Sequence, residues 1–205
     1  MWLRNWGQGP FPFIFVQLAA FRDAQTVPVP AADTWPYLRE SQDKTLRLRN
    51  TGMASAIDSG LQKDIHPYQK DVVGERLAAS ALEVAYDMEV VHTGPTFDEM
   101  DVEGNLAVIQ FDNVGGGLTA KAVTLDGIEV GGDSVKGFAI CGADRVWHYA
   151  EAEIDGDEVI LSSPAVEKPV AVRYGWANFP ICNLYNAEGF PANPFRTDDF
   201  PPPAN

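Results

Sequence analysis

The sequence predicts an α/β unit over residues 1–88, an all-β unit over residues 89–199 and a Pro-rich tail over residues 200–205. Three observations carry this. Before residue 88, apolar runs alternate with helical patterns, the order that builds a parallel sheet. After it, short strand-like runs alternate with Gly and Asp turns, the pattern of a β-sandwich. The chain's 205 residues, 45% apolar and 21% charged, suit one large or two small packed domains.

Residues 13–18 (FIFVQL) read as a strand buried on both faces, as in a parallel sheet. Residues 22–34 form a polar, Pro-containing loop. Thr34 is placed to cap a helix over residues 35–48, with Pro36 in its first turn. Residues 53–57 read as a second short strand. Pro67 opens a helix running to about Tyr86, in which Val73, Leu77, Ala81 and Val84 recur at helical spacing. Two strands are fewer than the ~5 of a typical sheet, so this unit reads as the last portion of something larger.

Downstream, residues 106–111, 123–125, 138–141, 159–161 and 170–174 read as strands. Asp126-Gly127 and Asp155-Gly156 read as tight turns between them. Gly115, Gly116 and Gly117 form a flexible loop, which lacks the following helix that a phosphate cradle needs.

The formal charge of −14 repels phosphate backbones and anionic membrane surfaces, so neither nucleic acid nor membrane is expected as a partner. No apolar run approaches the ~20 residues of a membrane span. Pro10 and Pro12 interrupt the N-terminal apolar stretches, and the chain shows no signal peptide. His66, His92 and His148 stand far apart, and no Cys/His spacing suits zinc, so no metal is expected. Cys141 and Cys182 either form one disulfide or are two buried thiols.

The sharpest chemical cluster is Lys63-Asp64-Ile65-His66-Pro67, between a predicted strand and a predicted helix. Loops in that position carry the sites of α/β sheets. A histidine there accepts a nucleophile's proton at neutral pH. A neighbouring carboxylate holds its tautomer and stabilises the imidazolium. The plainer reading of the same residues is a helix-capping Asp64 beside an exposed His66. Ser41 falls in a predicted helix and Ser55 in a predicted strand, and neither they nor Ser59 has a nucleophile's setting. Trp147 and His148, in a strand-like segment, read as packing residues.

The stretch Asp64-Ile-His-Pro-Tyr-Gln-Lys70, then Val72-Val-Gly-Glu-Arg-Leu-Ala78, resembles the histidine block of the sialate O-acetylesterases, SGNH-type carbohydrate esterases. Four further segments agree in order. They are Trp6-Gly-Gln-Gly-Pro-Phe-Pro-Phe13 with Phe15-Val-Gln-Leu18; Leu38-Arg-Glu-Ser-Gln42; Met53-Ala-Ser-Ala-Ile-Asp58; and Val172-Arg-Tyr-Gly-Trp176 leading to Asn183-Leu-Tyr-Asn186, Gly189-Phe-Pro191 and Pro194-Phe-Arg-Thr-Asp198.

The resemblance implies the C-terminal part of an SGNH-type α/β/α parallel sheet, followed by a β-sandwich. It implies serine-type hydrolysis of acetyl esters on sialic acids or related sugars through an acyl-enzyme, with no cofactor. His66 maps onto the general base. The family's acid usually stands three residues before the histidine, where this chain has Lys63; Asp64 takes the role here, with Asp58 as the fallback. The family's Gly-Gln-Ser-Asn-like nucleophile block is absent, so the chain alone is expected to be inactive and to need a serine-bearing N-terminal half. Periplasmic or extracellular location follows from the resemblance only. Arg173, Trp176, Asn183 and Tyr185 either line a sugar site or dock the β-unit against the α/β unit. The alternative function is a non-catalytic carbohydrate-binding or domain-packing protein.

Overall fold

The structure, a computed structural model, describes residues 2–202. A short helix, α1 (Trp2–Trp6), precedes the first strand. Strands β1 (Phe13–Val16) and β2 (Thr51–Ala54) pair in parallel, Phe13 opposite Thr51 and Val16 opposite Ala54. Between them runs α2 (Trp35–Lys44), ending in one 3-10 turn at Thr45–Arg47. Helix α3 (Lys70–Tyr86) packs on both strands and turns Val73, Arg76 and Ser80 inward. Gly52 permits this approach, because a Cβ there would collide with the Ser80 hydroxyl.

Three local expectations change. Strand β1 is not buried on both faces: Phe13 is 44% and Val16 38% exposed. Thr34 does not cap α2 with its side chain. Its place is taken from far along the chain, where the Asn178 amide oxygen accepts the Trp35 N–H at 3.0 Å. Asp33 holds Asn178 there by accepting its backbone N–H at 2.6 Å. Helix α3 begins at Lys70 rather than Pro67 and ends at Tyr86, capped by Asp87, whose φ of +54° places it in the left-handed region that closes many helices.

The remaining elements are strands: β3 (Thr96–Glu103), β4 (Leu106–Asp112), β5 (Leu118–Ala120), β6 (Val123–Leu125), β7 (Ile128–Val130), β8 (Phe138–Cys141), β9 (Trp147–Tyr149), β10 (Glu151–Asp155), β11 (Glu158–Ser162), β12 (Ala171–Tyr174), β13 (Leu184–Asn186) and β14 (Phe195–Arg196). They form two four-stranded antiparallel sheets, ordered β10-β11-β4-β3 and β14-β12-β8-β9, and the small pairs β13-β5 and β6-β7. Asp126 (φ +46°) and Gly127 (φ +82°) turn the β6-β7 hairpin as expected. The β10-β11 turn is Gly156-Asp157, because Asp155 already pairs with Glu158.

The two larger sheets share one core. Ile109, Phe111, Val159 and Leu161 come from one; Phe138, Ile140, Val172 and Tyr174 come from the other. Phe195 lies among them, stacked on Phe97 at 4.7 Å and edge-on to Phe111 at 5.8 Å. Ile57, just beyond β2, belongs to the same core.

A buried arginine fastens α2 to the far end of the chain. Arg39 is 0% exposed. Its guanidinium donates to four backbone carbonyls: Leu18 and Ala19 at 2.9 Å, Ala177 at 2.7 Å and Asn178 at 2.9 Å. Burial lowers its pKa from 12.5 to about 10, so it remains charged at neutral pH. Among the described residues, no helix is long and apolar enough to cross a membrane.

Candidate active site

The loop between β2 and α3 carries Asp64 and His66, the residues expected from the sequence to act as acid and base. Asp64 Oδ1 lies 3.1 Å from His66 Nδ1 and accepts the His66 backbone N–H at 2.9 Å. The backbone bond first, then the ring, holds the Asp64 carboxyl below its ordinary value. Asp64 is therefore an anion at neutral pH, and an anionic partner makes Nδ1 the donor. That tautomer leaves Nε2 as the basic nitrogen. The His66 side chain is 82% exposed. This arrangement can take a proton from a hydroxyl brought to the loop from outside.

The fallback acid, Asp58, is differently employed. Its two oxygens accept from Arg76 Nη1 and Nη2, both at 2.7 Å, and Oδ2 also accepts the Tyr185 hydroxyl at 2.7 Å. Burial pushes the Asp58 carboxyl up, but the Arg76 bonds and charge outweigh it and hold the group below its ordinary value. Burial, followed by the charge of Asp58, raises the Tyr185 hydroxyl far above its own. Asp58 is thus fully engaged in joining α3 to β13.

The three serines considered as nucleophiles are each hydrogen-bonded within the fold. Ser41 Oγ donates to the Tyr37 carbonyl at 2.9 Å and Ser59 Oγ to the Ala56 carbonyl at 3.1 Å. Ser55, which lies just beyond β2 rather than within a strand, donates to Gln17 Oε1 at 3.4 Å. The cysteines are two free, buried thiols, not a disulfide. Burial pushes Cys141 up to about 11 and Cys182 up to about 12, which keeps both protonated and poorly nucleophilic.

Arg173, Trp176, Asn183 and Tyr185 are all buried. Arg173 forks onto Asp198 at 2.8 and 2.7 Å. Its guanidinium also lies between two indoles, 4.6 Å from Trp147 and 5.3 Å from Trp176. Arg196 continues the stack, 5.5 Å from Trp176 and 5.3 Å from Tyr37, and forks onto Glu40. This alternation of rings and guanidinium groups joins β9, β12 and β14 to α2. Asn183 donates to the Gly131 and Ser134 carbonyls and accepts the Lys136 N–H at 2.7 Å. Of the four residues, Tyr185 lines an open cavity.

That cavity is a cleft of about 420 Å³, walled by α3 on one side and by the segments after β5 and β13 on the other. Asp58, Arg76 and Tyr185 line it, together with Gln69, Glu75, Lys121, Glu188 and Phe190. Sequence reasoning missed it because its walls come from stretches with no common spacing. Among the described residues, no group of three or more His, Cys, Asp or Glu side chains is arranged to hold a metal ion.

No family model matches the sequence, and no curated protein matches it. Among solved structures, it is similar to one described as a novel carbohydrate acetylesterase from Xanthomonas citri. The two are 44% identical with a TM-score of 0.84, over 97% of this chain and 44% of that one. The chain thus spans less than half the length of the protein it matches.

Proposed function

We propose that this chain is the C-terminal part of a carbohydrate O-acetylesterase, supplying the base His66 and the acid Asp64 to a serine carried elsewhere. The observation that carries the reading is the Asp64–His66 contact, 3.1 Å long, on an exposed loop that leads into α3. It is supported by 44% identity, over 97% of the chain, to a protein described as a carbohydrate acetylesterase. The sequence blocks around Asp64 and His66 that resemble the sialate O-acetylesterases support the same lineage and an SGNH-type parallel sheet, of which β1 and β2 are two strands. The two sheets from β3 onward are then its β-sandwich.

In this mechanism His66 Nε2 takes the serine proton as the hydroxyl attacks the acetyl carbonyl. Asp64 stabilises the imidazolium that forms. His66 returns the proton to the leaving sugar oxygen, and water repeats the cycle on the acyl-enzyme. The partner implied is a serine-bearing α/β segment, and the substrate is an acetylated sugar.

The purified chain, offered a small chromogenic acetate ester, is expected to show no turnover above its His66→Ala variant. Robust hydrolysis that disappears in His66→Ala would mean that the chain holds its own nucleophile, and would sink the incomplete-site reading.

A further inference from the structure

We propose that the cleft beside α3 is a binding site for an uncharged sugar ring. This deepens the esterase reading and rests on it for the choice of a carbohydrate as ligand. Its cavity of about 420 Å³ is large enough for a sugar unit or two and lies within the usual range of small-molecule sites.

The walls offer what a polyol requires. Gln69 carries both a donor and an acceptor, Lys121 is a donor, and Glu75 and Glu188 are acceptors. Phe190 adds an apolar surface for the C–H face of a pyranose. Two of these groups are fixed before any ligand arrives. Glu188 oxygens accept the Gly116 N–H at 3.0 and 3.2 Å. The Lys121 ammonium stands 5.0 Å from the centre of the Tyr185 ring, and the Lys121 N–H bonds the Asn183 carbonyl at 3.0 Å. Groups held in place in this way lose little freedom when they bind.

Charge selects the ligand. Asp58 and Arg76 cancel in their ion pair at the floor. What remains is one cation, Lys121, against two carboxylates, Glu75 and Glu188. The chain as a whole carries a formal charge of −14. A carboxylate-bearing sugar would meet net repulsion there, whereas a neutral one would meet only hydrogen-bonding partners.

The test is binding without hydrolysis, so that it stands apart from the Asp64–His66 chemistry. The full chain, labelled with 15N, is titrated with xylotriose, cellotriose and N-acetylneuraminic acid up to ~10 mM, a range that detects weak sites. A neutral trisaccharide is expected to shift the amides of Gln69, Lys121, Glu188 and Phe190. Phe190→Ala and Lys121→Ala are expected to weaken it about tenfold, with an unchanged melting temperature. N-acetylneuraminic acid is expected to bind more weakly than the neutral sugars. Shifts confined to another surface, no response to either neutral sugar, or stronger binding of the acidic sugar would each overturn the proposal. None of these results would alter the expected role of His66, which is read by ester hydrolysis instead.

Discussion

Arg39 is a side chain whose loss is expected to lower stability measurably. Replacing it with Met keeps most of the aliphatic stem and removes every donor. Four carbonyls, the half-buried Leu18 and Ala19 and the buried Ala177 and Asn178, then lose partners at 2.7 to 2.9 Å. The Asn178 carbonyl keeps the Phe21 N–H at 3.1 Å. The other three are orphaned at about 1–1.5 kcal/mol each, roughly 3–4.5 kcal/mol together. The variant also sheds a charge that burial disfavours, as the lowering of the arginine pKa to about 10 records. The net loss is then about 2 kcal/mol, some 4–8 °C of melting temperature for a chain of this size. Guanidinium chloride unfolding followed by tryptophan fluorescence measures it, with the exposed Arg49→Met as control. A loss below about 1 kcal/mol for Arg39→Met would refute the view that this guanidinium fastens α2 to residues 177–178.

Three further outcomes are expected. Arg173→Met deprives the buried Asp198 of its bidentate partner and should destabilise by about 3 kcal/mol; Arg173→Lys should recover only part of this, because an ammonium cannot fork onto the carboxylate or stack between indoles. Asp58 and Glu40 both sit below their ordinary pKa, so their stabilisation is present above the unfolded carboxyl range near ~4 and is lost as pH falls through their lower folded values. Denaturation midpoints from pH 7 downward should therefore fall in acid, and less steeply in Asp58→Asn. Gly74, in α3 with open space where a Cβ would lie, should gain about 0.5–1 kcal/mol as Ala by chemical denaturation, whereas Gly60→Ala should lose stability because its Cβ would meet the Ala20 carbonyl.

The strands that could be read from the sequence were those with an apolar run or a paired Asp-Gly turn. Residues 106–112, 138–141 and 171–174 point alternate or successive apolar side chains into one core, and that pattern is local. Strand β3 went unread because Asp98, Glu99, Asp101 and Glu103 dominate its sequence. It pairs only with β4, and its acidic side chains suit an exposed edge. The Asp64–His66 pair was legible because two residues of one loop suffice to make it. The Asp58–Arg76–Tyr185 floor was not, since its hydroxyl and carboxylate lie 127 residues apart. Arg39 was hidden for the same reason: an arginine in a short polar helix gives no sign that its acceptors stand at residues 177 and 178.

In the proposed function, His66 and Asp64 serve a serine supplied by another segment. Its most direct test is a chimera in which this chain replaces the matching 44% of the Xanthomonas protein. The chimera is expected to hydrolyse a chromogenic acetate ester, with kcat/KM reduced at least ~1,000-fold by His66→Ala and strongly by Asp64→Asn, at unchanged melting temperatures. A folded chimera that is inactive, or one whose activity survives His66→Ala, would contradict it.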